Sequence, residues 1–479
     1  MAAERKHAWG TMSAHVLPTV ALVSLGCPKN LVDSERMLAG LALAGFAVTP
    51  DADGAALAVV NTCGFIDLAR AESDEHIDRL EDLKRAGRLG RIVVAGCMAQ
   101  RLGREILERH PDVDAVVGLA DRDHLAEVYR DLLGGRPAKR RRKRRRPRRK
   151  DAARPVVRIG PLPEHVPVDR ERLRLTPRHY AYLRITEGCD NRCAYCAIPA
   201  IRGPLRSKPP DDVLAEAEEL AADGARELVL IGQDTTAYGR DVPETGWSLA
   251  GLLALLRERI DVRWLRLMYT HPASFEPAVI EQLAAGAPLV PYVDLPLQHA
   301  STRLLRAMGR RVARETMEAL LADLRRAVPG IAIRTSFIVG FPGETEADFA
   351  VLVAFVQKVG FDQVGVFVYS PEEGTPAVRL PGQVPREVAR ERWDRLMQVA
   401  GAVAQEKARQ RAGQRLAVLV DGADADGRVM GRHAGQAPEV DSAVLMPQGA
   451  ARPGEFVTVR VTGAEAYDLV AEPIEDTRE

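Results

Sequence analysis

A recurring alternation of short apolar runs with helix-forming segments restricts the fold of this 479-residue chain more than any other feature of its sequence. From Tyr180 onward the alternation predicts six strands, at 180–186, 226–232, 264–270, 291–297, 332–339 and 363–369. Helical spacing between them predicts helices at about 211–223, 248–259, 275–285, 313–327 and 344–359. Strands joined through helices lie parallel. Six such units predict a partial (β/α) barrel, in which reactive groups gather at the carboxyl ends of the strands.

Residues 19–134 show the same alternation, and three of their apolar runs end in a cysteine. These are Cys27, Cys63 and Cys97, spaced by 36 and 34 residues, roughly one strand–helix–strand unit each. The pattern predicts an α/β domain with a parallel sheet, whose strands end on one edge and bring the three thiols together there. Two interpretations stay open from the residues alone: three ordinary buried cysteines, or one shared metal cluster.

The end of the chain has a different period. Residues 412–479 contain short alternating apolar runs separated by Gly and Asp, which predict a small antiparallel β-barrel. A long charged helix is predicted before it, at 385–411. The predicted domains are therefore an α/β domain at 19–134, a basic and Pro-rich linker at 135–175, a (β/α) barrel at 176–411 and the β-barrel at 412–479.

Three cysteines occur within eight residues directly after the first strand of the predicted (β/α) barrel. Cys189, Cys193 and Cys196 have the spacing Cys-x3-Cys-x2-Cys. Three thiolates from one loop can hold three irons of a four-iron cluster and leave the fourth iron open to a small molecule. Structural zinc prefers four ligands in paired spacings, and disulfides need an oxidising compartment. An iron–sulfur cluster is thus favoured over zinc and over crosslinks.

One short tract carries an unusual charge. Residues 139–150 hold 11 of the 67 basic residues and no acid, although the net charge of the chain is only +1. Such a tract cannot fold alone, because like charges repel and nothing apolar is available to bury. It is interpreted either as a solvated linker or as a segment that contacts ribosomal RNA, in which case binding weakens as salt rises.

The expected location is the cytoplasm. The chain has no run of 18 apolar residues, which predicts no membrane span, and residues 1–18 lack the apolar stretch of a secretory signal.

The cysteine loop at 189–196 resembles that of the radical S-adenosylmethionine enzymes. The stretch 24–35, with Asn61-Thr62-Cys63 and Ala95-Gly96-Cys97, is similar to the amino-terminal domain of one subgroup, the methylthiotransferases. Residues 431–441 resemble the TRAM domain that ends those enzymes. The resemblance implies two 4Fe-4S clusters and S-adenosylmethionine as cofactors. It implies six catalytic, metal-binding cysteines: Cys27, Cys63, Cys97, Cys189, Cys193 and Cys196. It also implies cofactor contacts from Tyr195, Gln233, Gln298, Ser336 and Gly340.

The form of the motif at 27–35 implies a substrate. It looks like the branch that adds a methylthio group to the β-carbon of an aspartate in small-subunit ribosomal protein twelve, free or in the ribosome, with an external electron donor. The alternatives are methylthiolation of a tRNA adenosine and a non-catalytic iron–sulfur module that binds ribosomes. Asp33 and Glu35 are also interpreted as first-turn acids that favour a helix N-terminus.

The charge of the last domain bears on this choice. Residues 412–479 contain six Arg against twelve Asp plus Glu, a net of −6. A domain that grips the tRNA backbone is expected to be basic, because phosphate neutralisation supplies most of that affinity. An acidic domain instead suits a basic protein partner.

Overall fold

The computed structural model describes residues 17–133 and 154–474, which form three units. The basic tract at 139–150 lies outside the described residues, so both interpretations of it stay predictions. Within the described ranges, no helix is long and apolar enough to cross a lipid bilayer.

The first unit is a six-stranded parallel sheet with helices on both faces. Its strands are β1 (Thr19–Ser24), β2 (Ala47–Val48), β3 (Leu57–Thr62), β4 (Arg91–Gly96), β5 (Ala115–Val117) and β6 (Val156–Arg158). Its helices are α1 (Pro28–Leu43), α2 (Asp67–Arg85), α3 (Cys97–Leu102), α4 (Glu105–Arg109) and α5 (Leu125–Leu132). The strand order is β2-β1-β3-β4-β5-β6. Every residue of β3 is buried, as expected for a central strand covered on both faces.

The edge strand β6 was not expected from the sequence. It pairs in parallel with β5, Val116 opposite Val157, although its residues belong to the segment interpreted as a linker. Part of that segment therefore completes the first sheet.

The second unit is the partial (β/α) barrel. Its strands are β7 (Tyr180–Arg184), β8 (Thr186–Glu187), β9 (Arg206–Ser207), β10 (Glu227–Ile231), β11 (Trp264–Leu267), β12 (Tyr292–Asp294), β13 (Ala332–Val339) and β14 (Gln363–Val368). Its helices are α6 (Ile198–Arg202), α7 (Pro210–Ala222), α8 (Leu249–Arg259), α9 (Pro277–Ala284), α10 (Thr302–Ala307), α11 (Arg314–Ala327), α12 (Glu346–Val359) and α13 (Arg386–Gln410). Apart from β8 and β9, the strands are parallel and form two three-stranded sheets, β7-β10-β11 and β12-β13-β14.

Alternate residues of the barrel strands face opposite sides, which is the period-two pattern of a strand. Ala181 and Leu183 pack toward the helices with Leu228 and Leu230. The residues between them, such as Tyr182, lie on the inner face. The inner face therefore carries the polar and aromatic side chains from which a site can be built.

The third unit is a closed five-stranded barrel. Its strands are β15 (Arg415–Ala423), β16 (Val429–His433), β17 (Val444–Met446), β18 (Phe456–Glu465) and β19 (Asp468–Pro473), in the order β15-β16-β17-β19-β18. All neighbours are antiparallel except β17 and β19, which are parallel. The α/β class and the three-part architecture predicted from sequence are confirmed.

The third unit packs against the inner face of the second. The Tyr180 and Tyr182 hydroxyls donate to the two carboxylate oxygens of Glu439, at 2.8 and 3.0 Å. The Tyr292 hydroxyl donates to Asp441 at 2.8 Å. Arg432 pairs with the fully buried Glu227 at 2.6 Å. The third unit is thus assembled on the second.

Candidate active site at the junction of two domains

The three cysteines of the barrel loop are held in one place by the backbone around them. Cys189, Cys193 and Cys196 lie between β8 and β9, which pair antiparallel and close the base of the loop. The Ala194 N–H donates to the Met308 carbonyl at 2.8 Å, and its own carbonyl accepts from the Ala377 N–H at 2.8 Å. Two segments from the second half of the barrel sequence therefore hold the loop in place.

The thiols of this loop are free and partly buried. Burial is the main cause that raises the pKa of Cys189 to about 11 and that of Cys196 to about 12. Thiols of this kind lose their protons when a metal binds, since the metal ligand is the thiolate.

Two polar side chains lie beside these sulfurs. The Asn191 amide donates to Cys189 Sγ at 3.4 Å, and Arg310 Nη1 lies 4.0 Å from Cys193 Sγ. Arg310 is nearly fully buried. Both residues are polar neighbours of the loop sulfurs, and sequence reasoning missed them.

Cys27, Cys63 and Cys97 follow three neighbouring strands. Cys27 caps the N-terminus of α1 after β1, Cys63 follows β3, and Cys97 begins α3 directly after β4. Burial raises the pKa of Cys63 to about 12, and the nearby Cys97 and Cys27 add to the rise. The structure therefore brings these thiols to one edge of the sheet.

Two glycines permit this close approach. Gly26 has a positive φ of 89°, and a Cβ there would lie 2.8 Å from the Cβ of Cys63. Gly96 has a positive φ of 94°, and a Cβ there would lie 2.3 Å from Asn61 Oδ1. Side chains at these positions would separate the strand ends that carry the cysteines.

The polar residues of the motif at 27–35 hold the strand ends together. The Asn30 amide donates to the carbonyl of Leu25 at 2.7 Å and to that of Thr62 at 3.2 Å. The Asn61 amide donates to the Asn30 carbonyl at 2.7 Å and to Ser34 Oγ at 2.8 Å. These bonds explain why amides and a hydroxyl stand at those positions.

Lys29 links the first cysteine set to the barrel. Its Nζ lies 3.1 Å from the ring centroid of Tyr269, at the carboxyl end of β11. Burial is the main cause that lowers the pKa of Lys29. Tyr269 has a positive φ of 60°, a strained conformation of the kind found at functional sites.

A buried ion network joins the first unit to the barrel. Asp33 is fully buried and pairs with Arg184 at 2.7 Å, Arg122 at 3.0 Å and Arg202 at 3.0 Å. Glu187 contacts the same three arginines. Charges removed from water in this way are retained only when they are paired.

The interpretation of Asp33 and Glu35 as first-turn acids is wrong. The first turn of α1 contains no acid, because the helix begins at Pro28. Glu35 is also buried and accepts the Leu175 N–H at 2.8 Å. Asp33 and Glu35 instead make contacts at the junction between the first unit and the barrel.

The segment before β7 takes part in the same network. Asp169 is buried and pairs with Arg184 at 2.6 Å, Lys208 at 2.9 Å and Arg36 at 3.0 Å. Burial acts to raise the pKa of Asp169, but Arg184 and Lys208 outweigh it and hold that pKa well below its ordinary value. This part of the predicted linker is thus a structural part of the junction.

A second contact joins the first unit to the loop after β14. The buried Glu372 carboxylate, in the loop after β14, accepts hydrogen bonds from the Asp67 N–H at 2.9 Å, from Arg101 at 2.7 Å and from Arg70. Burial acts to raise the pKa of Glu372, but the hydrogen bonds led by Arg70 outweigh it and keep that pKa below its ordinary value.

We expect Glu372→Gln to loosen this contact, since a neutral amide binds the two guanidinium groups less strongly. If about 1.5–3 kcal/mol of hydrogen-bond free energy is lost, the first amides of α2 should be about 10- to 100-fold less protected in hydrogen exchange. Because the pKa is depressed in the folded protein, the carboxylate's contribution is present at neutral pH and is lost as pH falls through the folded pKa. Glu75→Gln, at an exposed position on the same helix, is the control. Equal exchange in both variants would contradict the prediction.

The other residues expected to contact the cofactor lie near the carboxyl ends of the barrel strands. Gln233 follows β10, and both its amide nitrogen and its oxygen are buried without a hydrogen-bond partner among the described residues. Gln298 follows β12 with a positive φ of 70°, and its N–H donates to the Ser336 carbonyl at 2.8 Å. Tyr195 lies in the cysteine loop and packs near Phe341.

Gly340 has a packing reason of its own. A Cβ there would lie 2.4 Å from the Cβ of Ala389 on α13, and its φ is +75°. Its N–H donates to Glu344 at 2.6 Å. The need for glycine at this position therefore follows from packing, and its predicted cofactor contact stays a prediction.

Comparison with known proteins shows to which family the chain belongs. The chain matches uncharacterized protein family UPF0004 at residues 19–118, the radical SAM superfamily at 183–356 and the TRAM domain at 412–474. It is 45% identical over 454 residues to the ribosomal protein uS12 methylthiotransferase RimO of Anaeromyxobacter sp. (strain K), covering 94% of this chain and 92% of that protein. The chain belongs to the RimO family. It is also 42% identical over 459 residues to the RimO protein of Trichlorobacter lovleyi, covering 95% and 98%.

This RimO family member also resembles solved structures in its fold. The radical S-adenosylmethionine methyltransferase TsrM from Kitasatospora setae superposes with a TM-score of 0.52 at 17% identity, covering 76% of this chain and 77% of that one. The cobalamin-dependent radical enzyme OxsB gives a TM-score of 0.50 at 14% identity, covering 81% and 58%. At such identities the likeness concerns the fold alone. The family predicted from sequence is confirmed.

Proposed function

We propose that this protein is a radical S-adenosylmethionine methylthiotransferase that modifies an aspartate of ribosomal protein uS12, at its β-carbon. The observation that carries the proposal is the junction itself: two sets of three thiols belong to two different units, and one buried ion network joins those units. Relatives that match nearly the whole chain are named for this activity.

The donor chemistry at both cysteine sets fits a 4Fe-4S cluster. Cys189, Cys193 and Cys196 supply three sulfurs from one loop, and Cys27, Cys63 and Cys97 supply three from one sheet edge. Soft thiolate ligands select iron–sulfur clusters over hard cations. A three-ligand set also leaves one iron available for a small molecule, which suits S-adenosylmethionine at the barrel loop.

The barrel offers a place for the rest of S-adenosylmethionine. The buried amide of Gln233 has no hydrogen-bond partner among the described residues, and a buried polar group of this kind calls for a ligand or water. We infer that Gln233, Gln298, Ser336 and Tyr195 surround the bound cofactor.

Cleavage of an unactivated C–H bond needs radical chemistry, which reduced iron–sulfur clusters and S-adenosylmethionine supply when they are bound, with an external electron donor. The chain's own residues orient and shield these groups. Arg310 and Asn191 place positive charge and a donor beside the barrel thiols. The ion network around Asp33 fixes the helix that follows Cys27 against the barrel, and its charged groups are almost fully buried.

The charge argument for a protein substrate is weaker in the structure than in the sequence. Asp421, Glu439 and Asp441 of the third unit are used in contacts with the barrel. The acidic composition of this unit therefore overstates the negative charge that it offers to a partner. The choice of uS12 over tRNA rests mainly on the named relatives.

Mass spectrometry of cells that lack this protein tests the proposal. We expect ribosomal protein uS12 to lose a methylthio modification on one aspartate, while methylthiolated tRNA nucleosides stay unchanged. Loss of only the nucleoside modification would favour the tRNA alternative, and loss of neither would favour a non-catalytic role.

A substitution tests the cofactor site. We expect Gln233→Leu to weaken S-adenosylmethionine binding about tenfold, because a hydrogen bond worth about 1–1.5 kcal/mol is lost. The ligand-free protein should keep its stability, because the change removes a polar group that has no partner. Anaerobic equilibrium dialysis and thermal unfolding measure the two effects, with the surface variant Gln357→Leu as the control. Unchanged binding would remove Gln233 from the proposed site.

A further inference from the structure

Among the described residues, Arg202 is the one side chain of the barrel loop that donates a hydrogen bond to a cysteine of the first unit. Its Nε lies 3.3 Å from Cys97 Sγ in donor geometry. It is the last residue of α6, which begins two residues after Cys196. One rigid turn of helix therefore connects the two cysteine sets.

The guanidinium of Arg202 is held firmly in this position. Its Nη2 donates to Asp33 at 3.0 Å and to Asn30 Oδ1 at 3.2 Å, and its Nη1 donates to Glu187. The side chain is almost fully buried. The planar fork is fixed by three partners, and among the described residues Nε has no acceptor other than the sulfur.

A cationic donor at a ligand sulfur alters the electronics of a cluster. Hydrogen bonds to the sulfurs and nearby charge set the reduction potential of iron–sulfur centres, and such outer contacts also orient the ligand. A buried positive charge stabilises the reduced cluster, which carries the more negative charge, and thus raises its potential.

We propose that Arg202 is a positioning residue that sets the reduction potential of the cluster on Cys27, Cys63 and Cys97, and that it does so from the barrel loop. The inference rests on the proposed function, because it requires that cluster. It adds that the redox properties of the first site depend on the docked position of the segment that carries the second.

The test uses the full-length chain with Cys189, Cys193 and Cys196 changed to alanine, so that only the first cysteine set can bind iron. Arg202→Gln is compared with Arg122→Gln. Arg122 is buried in the same network and pairs with Asp33 at 3.0 Å and Glu187 at 3.6 Å, but it makes no described contact with a sulfur. The readouts are iron and sulfide content and a redox titration followed by electron paramagnetic resonance.

We expect both variants to keep the cluster and only Arg202→Gln to shift its potential. The reduction potential is expected to fall, so that reduction is disfavoured at least tenfold, which is 59 mV for a one-electron couple. The inference would be overturned if neither variant shifted the potential of the cluster, or if both variants shifted it equally. If the parent chain binds no iron, the proposed cluster and this inference both fail.

If Arg202→Gln loses the cluster, Arg202→Lys is measured as a second variant. It keeps the positive charge and loses the planar fork. A cluster retained in Arg202→Lys with a lowered potential supports the inference. Loss of iron in Arg202→Lys as well, with iron retained in Arg122→Gln, would show a merely structural role and overturn it.

Discussion

Cys193→Ala is expected to abolish cleavage of S-adenosylmethionine, whereas Cys63→Ala is expected to leave that cleavage largely intact and to stop sulfur transfer. The two residues belong to different thiol sets, one in the barrel loop and one at the edge of the first sheet. Removing one of three ligands should prevent the assembly of a stable cluster on that set only. Anaerobic assays of 5′-deoxyadenosine release and of methylthiolated uS12 peptide separate the two outcomes.

Iron content gives the control for this pair. Each variant should retain about half of the iron of the parent protein, because one set of ligands remains complete. If Cys63→Ala also lost S-adenosylmethionine cleavage while retaining the cluster of the barrel loop, the division of labour between the two sets would be refuted.

Asp33→Asn is expected to open the junction between the first unit and the barrel. It removes the charge that pairs with Arg122, Arg184 and Arg202 while keeping the size of the side chain. Breaking a buried pair by neutralising one partner costs about 3–5 kcal/mol, because the remaining charges are left without compensation. At 1.4 kcal/mol per factor of ten, the amides of α1 and β7 should exchange at least 100-fold faster.

Asp82→Asn is the matched control for this change. Asp82 pairs with Arg85 at 3.0 Å, but its side chain is 77% exposed and screened by water. Its exchange pattern should match that of the parent protein. Unchanged exchange in Asp33→Asn would mean that Glu187 alone can neutralise the arginines.

The sequence predicted the strands and helices well where the periodicity was strong. The predicted strand at 332–339 coincides with β13, and the predicted helix at 313–327 differs from α11 by one residue. The period of burial in such segments is a local property, so it can be read from neighbouring residues. The short strand β6 had no such signal, because three residues of an edge strand carry too little pattern.

The site was only partly predictable for a related reason. The cysteines stand out by residue type and spacing, so both sets could be proposed as site residues from the sequence. Arg202 and Asp33 are separated by 169 positions in the sequence, and their pairing depends on how two units dock. Nothing local distinguishes such an arginine from one on a solvated surface. The junction therefore became visible only in the folded chain.

The position of the last unit also has a consequence for biosynthesis. Glu227 and Arg266 are fully buried on the inner face of the barrel, and Glu227 receives its second guanidinium from Arg432, more than 200 positions later. During synthesis on the ribosome, the Glu227 carboxylate lacks Arg432 until the final β-barrel has been translated. A nonsense mutation near residue 412 should therefore not yield a smaller active enzyme. The truncated product should expose the charged inner face of the barrel to solvent and be degraded by quality-control proteases.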